Sequence, residues 1–178
     1  PNLNGTFVDD CYFGVTSAAS LSGFTIKNGR GNDSANGCPW LGQICGAGIF
    51  VNKASHPRLK NLLIKENGVT GTYLNGGGVF IFADSNPELD NIEIKNNQAV
   101  WGGGIFIAGS NPTLTDLTVS RNNSPYKGGG ILITKSAPTL TNLTISENTA
   151  NIGGGIYISN NSNPTITNSE ITENYTSE

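Results

Sequence analysis

Apolar residues return along this chain in two short runs, and the pair of runs returns again every 25 to 30 residues. In GGGILITKSAPTLTNLTISEN, from Gly128, the first run alternates: Ile131 and Ile133 point one way and Leu132 the other. A period of two is the signature of a strand. The second run reads Leu140-x-x-Leu143-x-Ile145-x-x-Asn148. Its x-x gap calls for a bend between two strands. Copies begin at Gly46, Gly76, Gly102 and Gly153, and the last glycines of the runs, Gly48, Gly78, Gly104, Gly130 and Gly155, are 30, 26, 26 and 25 residues apart. No stretch sustains a 3.6-residue period, so helix is not expected.

A fixed period of this size predicts a solenoid whose repeats stack on one another. The inward columns are Leu59, Leu89, Leu114, Leu140 and Ile166; Leu62, Ile92, Leu117, Leu143 and Ser169; and Ile64, Ile94, Val119, Ile145 and Ile171. Asn61, Asn91, Asn142 and Asn168, with Asp116 as the exception, mark the bend. Asn67, Asn97, Asn122, Asn148 and Asn174 follow the last strand. Asparagine tolerates left-handed backbone, and stacked amides can bond from coil to coil. The LxxLxLxxN half also suits leucine-rich repeats, but those need a helical segment where this chain has GGGIxI and a proline turn. The pattern therefore predicts an all-β, right-handed single-stranded parallel β-helix, with three short strands per coil of about 25 residues and six to seven coils.

The pairing of GGGI with IxxN in each coil resembles the GGAI and FxxN repeats of chlamydial polymorphic outer-membrane proteins, and the β-helices of secreted bacterial surface proteins. The resemblance spans about Leu21 to Asn174. Here GGG replaces GGA, and Ile or Val (Ile64, Ile94, Val119, Ile145, Ile171) replaces Phe. It implies a fold and a secreted or cell-surface location. It leaves function open, because lyases, adhesins and tailspikes share this architecture.

Residues 1–178 read as one domain, with irregular N-terminal coils and an insertion over 1–45 and regular repeats over 46–174. The C-terminus stops without a divergent cap, as expected of a fragment of a longer protein or of coils that stack end to end. Cys38 and Cys45 bracket PWLGQI, a spacing suited to a loop-closing disulfide, with free thiols the other reading; Cys11 is left over. A net charge of −3 with 13% charged residues offers no basic stripe for nucleic acid. No apolar run is long enough to span a membrane as a helix.

Candidate chemistry must lie on outward positions. Phe50, Phe80, Phe106, Leu132 and Tyr157, with Phe82 beside them, form an outward column about 4.8 Å from rung to rung. As an exposed stripe it would bind glycan or protein through Phe50, Phe80, Phe82, Phe106 and Tyr157; as a self-stacking ladder it would be roofed by the N-terminal segment or the 30–45 insertion. Arg58 and Lys60 fall over Glu88 and Asp90, with His56 nearby. A polysaccharide-active enzyme would use such groups with calcium, but no carboxylates converge, so cross-coil ion pairing is the expectation. Asp9–Asp10 and Asp84 are scattered, and no calcium loop is present. Thr113/Thr115, Thr139/Thr141 and Thr165/Thr167 make three TxT ranks like those of ice-binding solenoids. The sequons at Asn4, Asn142 and Asn174 are chance products of an Asn/Thr-rich chain. The expected function is a structural or adhesive module without metal or cofactor, with a polysaccharide-active enzyme and an ice-binding solenoid as alternatives.

Overall fold

The computed structural model describes residues 5–7, 11–13, 19–31, 38, 44–68 and 73–177, the first two segments as backbone strands. Asp9–Asp10, the Cys11 side chain, the Asn4 sequon and most of the 30–45 insertion lie outside these residues. The described chain is an all-β parallel solenoid of about five turns, without a helix. No helix among the described residues is long and apolar enough to cross a membrane.

One face carries the long bent strands Arg58–Lys65, Glu88–Lys95 and Thr113–Ser120. In the next coils the strand is broken at the bend, into Thr139–Thr141 and Thr144–Ser146, then Thr165–Thr167 and Glu170–Thr172. A second face stacks Ile49–Val51, Val79–Phe82, Ile105–Ala108, Ile131–Thr134 and Ile156–Ser159. Short strands and single bridges close the remaining side: Leu74–Asn75, Trp101, Asn123–Lys127, Thr149–Ile152 and Tyr175–Thr176.

Register follows the sequence columns. Leu59, Leu89, Leu114, Leu140 and Ile166 stack directly, as do Ile64, Ile94, Val119, Ile145 and Ile171. With Ile105, Ile107, Ile131 and Ile133 from the second face, all of these except Ile171, which is 48% exposed in the last coil, line one continuous apolar lumen. The last glycine of each run is needed because coils approach backbone to backbone there. A Cβ on Gly104 would stand 2.6 Å from the Gly130 carbonyl oxygen and 3.0 Å from Asn122 Nδ2.

The two asparagine columns do different work. At the bend, Asn61, Asn91, Asp116, Asn142 and Asn168 all have positive φ, as expected. In the second column the left-handed residue is instead the one before: Glu66, Asn96, Arg121, Glu147 and Glu173. The asparagine is there for its amide. Asn122 Nδ2 donates to the Ile94 carbonyl at 2.9 Å and to Asn148 Oδ1 at 3.0 Å. Its Oδ1 accepts from the backbone N and the Nδ2 of Asn97. Every polar atom of this buried side chain is satisfied by neighbouring coils. Asn28 looks one residue early in the sequence because it takes the left-handed corner, and Gly29 N then donates to Asn67 Oδ1 at 2.9 Å.

The bend column forms a second, exposed ladder with a gap. Asn61 donates to Ser22, Asn91 to Asn61, and Asn142 to Asp116, at 3.0, 2.8 and 2.9 Å. No bond joins Asp116, which lacks an amide donor, to Asn91, and none joins Asn168 to Asn142.

These ladders make three stability predictions, each read as a shift in melting temperature. Asn122→Ala strands the Ile94 carbonyl and the donors of Asn97, and should cost about 3 kcal/mol or more. Gly104→Ala forces a methyl against a carbonyl and should cost about 1–3 kcal/mol. Asp116→Asn supplies the missing donor and keeps the tolerated φ, so it should raise stability by about 0.5–1 kcal/mol; a fall would show the outer ladder to be inert.

Candidate functional site

The outward column of the second face stacks as its spacing implies. Phe50 and Phe80 lie nearly parallel with centroids 5.1 Å apart, Phe80 and Phe106 are 4.9 Å apart, and Phe82 flanks Phe80 at 5.7 Å. An open platform is not what results. Phe50 and Phe80 are 0% exposed and Phe106 7%. Cys38 and Cys45 form a disulfide and join these rings in a second apolar cluster, outside the lumen. The roofed ladder is therefore the arrangement found at the N-terminal end. Only Phe82 and Tyr157, both half-buried, keep part of their surface open.

The glycine runs explain the shape of this region. The first glycine of each run has positive φ, and the chain folds back there over the outward residue four positions later. A Cβ on Gly76 would stand 2.6 Å from Phe80 Cβ; on Gly102, 2.8 Å from Phe106 Cβ; on Gly128, 2.7 Å from Leu132 Cβ. The residue before each run thus becomes the wall of a groove whose floor is the outward column. Those wall residues are Cys45, Asn75, Trp101, Lys127 and Ile152, stacked in register. Cys45 and its disulfide close the groove at one end. Where the roof stops, Trp101 and Lys127 stand beside an open floor.

A bulge shapes that wall. Ser124 pairs with Ala150 and Lys127 with Ile152, so the strand Asn123–Lys127 carries one residue more than its neighbour. Such an extra residue re-aims side chains. Ser124 Oγ secures it, with its one proton shared between the Val100 carbonyl at 2.8 Å and the Lys127 carbonyl at 3.0 Å. Tyr126 is turned outward, 53% exposed, with its ring 4.9 Å from that of Trp101 and inclined by 43°.

The resulting cleft has a volume of about 250 Å³. Phe106 and Leu132 make its apolar floor, Trp101 and Lys127 one side, and Tyr157 its far end; Thr134, Ser159 and Asn160 supply polar groups opposite. Lys127 Nζ lies 3.2 Å from Tyr157 Oη and 4.8 Å from the centre of that ring, a hydrogen bond and a cation–π contact together. Asn160 Nδ2 donates to Thr134 Oγ1 at 2.8 Å. Aromatic faces thus stand beside convergent hydroxyl and amide groups.

The other sequence candidates resolve into structural contacts. Arg58 pairs with Glu88 at 3.1 Å and Lys60 with Asp90 at 3.0 Å, both exposed. His56 Nδ1 accepts the Asn86 backbone N–H at 3.0 Å. Arg121 and Glu147 form a further exposed pair; their hydrogen bond raises the guanidinium pKa and lowers that of the carboxyl. Among the described residues, no three His, Cys, Asp or Glu side chains come together as metal ligands. Thr141 and Thr167 hydroxyls hydrogen-bond across coils at 3.2 Å.

Of the expected binding residues, Phe106 and Tyr157 line the cleft, whereas Phe50 and Phe80 are sealed under the disulfide. Trp101, Tyr126 and Lys127 were not anticipated. The signal was present in the column just before each glycine run, which holds a different residue in every repeat: Cys45, Asn75, Trp101, Lys127 and Ile152.

Among known proteins, the family model for right-handed β-helix regions matches residues 4–177. No curated protein and no solved structure matches the chain. That match covers nearly the whole sequence and agrees with the parallel coils and the stacked lumen: the chain belongs to the right-handed β-helix family.

Proposed function

We propose that this β-helix is a structural or adhesive module of a secreted or cell-surface protein, and that it holds a saccharide in the cleft between Trp101 and Tyr157. In this reading the coil has three strand-forming sides, and six to seven coils build a rigid rod that displays the cleft. The observation that carries the proposal is the cleft's composition. The flat faces of Trp101 and Tyr157 can cover the C–H faces of a sugar ring, while Thr134, Ser159 and Asn160 reach its hydroxyls. A volume of about 250 Å³ suits a sugar unit or two better than a folded partner. The Cys38–Cys45 disulfide supports an oxidising compartment.

A glycan array tests this. Trp101→Ala should weaken retained glycans by about 2 kcal/mol, roughly thirtyfold. Phe80→Ala removes a fully buried ring and should instead lower stability, by about 3–5 kcal/mol. An array that is silent for the unaltered protein, or unchanged by Trp101→Ala, overturns the saccharide reading.

A further inference from the structure

Five of the ten lysines and arginines of this chain are paired with a carboxylate. Arg58, Lys60, Lys65, Lys95 and Arg121 each have a carboxylate within 3.1 Å. Lys127 has none among the described residues, although it is the one charged side chain lining the cleft. Its ammonium is held in place by Tyr157, which uses one of its three donors and covers one side with a ring. The remaining donors meet no acid from the protein. On the opposite rim, Lys135 is also without a carboxylate partner among the described residues, and it shares a neighbouring depression with Asn160, a residue of the cleft itself. No carboxylate lines either depression.

A fixed ammonium beside an aromatic wall, partly withdrawn from water and left unpaired, is complementary to an anion presented by a ring that stacks. We infer that the cleft selects an anionic saccharide: its ring lies against Trp101, and its carboxylate or sulfate group accepts hydrogen bonds from Lys127 Nζ. The inference rests on the saccharide reading of the same cleft and adds the charge of the ligand. The anion would give Lys127 the kind of partner that five other cations of the stack find in a carboxylate of the protein. Charge-assisted hydrogen bonds of this kind favour the charged ligand over a neutral analogue by roughly tenfold or more. Because the cleft is open to solvent, added salt screens the preference.

The test uses three probes with a common skeleton: the unsulfated chondroitin disaccharide, which carries one carboxylate; its methyl ester, which is neutral; and the 6-sulfated methyl ester, which carries only a sulfate. Affinities are measured by calorimetry for the unaltered protein and for Lys127→Gln, with thermal melts to establish that the variant folds. The expected result is about a tenfold preference for at least one anionic probe over the neutral ester, reduced severalfold at high salt and falling to near unity in Lys127→Gln. Whether the carboxylate or the sulfate is preferred identifies the anion. Equal affinity for all three probes would overturn the anionic inference and leave the saccharide reading standing. A preference that survives in Lys127→Gln overturns the assignment to that residue. Silence from every probe overturns both.

Discussion

The whole architecture depends on each coil completing the hydrogen bonds of its neighbours. The Asn67–Asn97–Asn122–Asn148–Asn174 column shows this most sharply, because each amide from Asn67 to Asn148 bonds simultaneously to the coil before and the coil after. A one-residue slip between coils would strand these buried groups and turn the apolar columns out of the lumen. Register is therefore set twice, by amides and by methyl groups. That double specification is what allows corners to vary in length: repeats of 25, 26 and 30 residues share one lumen.

Much of this was legible in the chain. The columns from Leu59 to Ile166 and from Ile64 to Ile171 announce themselves by position, and parallel stacking follows from their constant phase. The meaning of the asparagines was less visible. Both columns look alike as letters, yet Asn91 is a left-handed corner and Asn97 a buried bridge with its corner passed to Asn96. Only backbone angles separate the two uses.

The site was harder to read because burial of an outward residue is not a local property. Phe80 and Phe106 occupy positions that alternate away from the lumen, and period-two reasoning places them at the surface. Phe80 is buried in the cluster that holds the Cys38–Cys45 disulfide, remote from it along the chain, and Phe106 is the cleft floor beside Trp101. The wall residues escaped notice for the opposite reason. Trp101 and Lys127 show no repeated type, so a search for columns passes over them, although their variability is what frees them to meet a ligand.

The groove wall forms its own ladder, Cys45–Asn75–Trp101–Lys127–Ile152, apart from the strands that line the lumen. A wall residue can then be exchanged without altering the lumen's volume or the pairing of a single inward side chain. Cys45, Asn75, Trp101, Lys127 and Ile152 occupy one such position each, one rung apart, on an unchanging frame. The solenoid thus separates two kinds of position within one repeat: an interior whose apolar columns recur from coil to coil, and a margin in which every coil places a different residue.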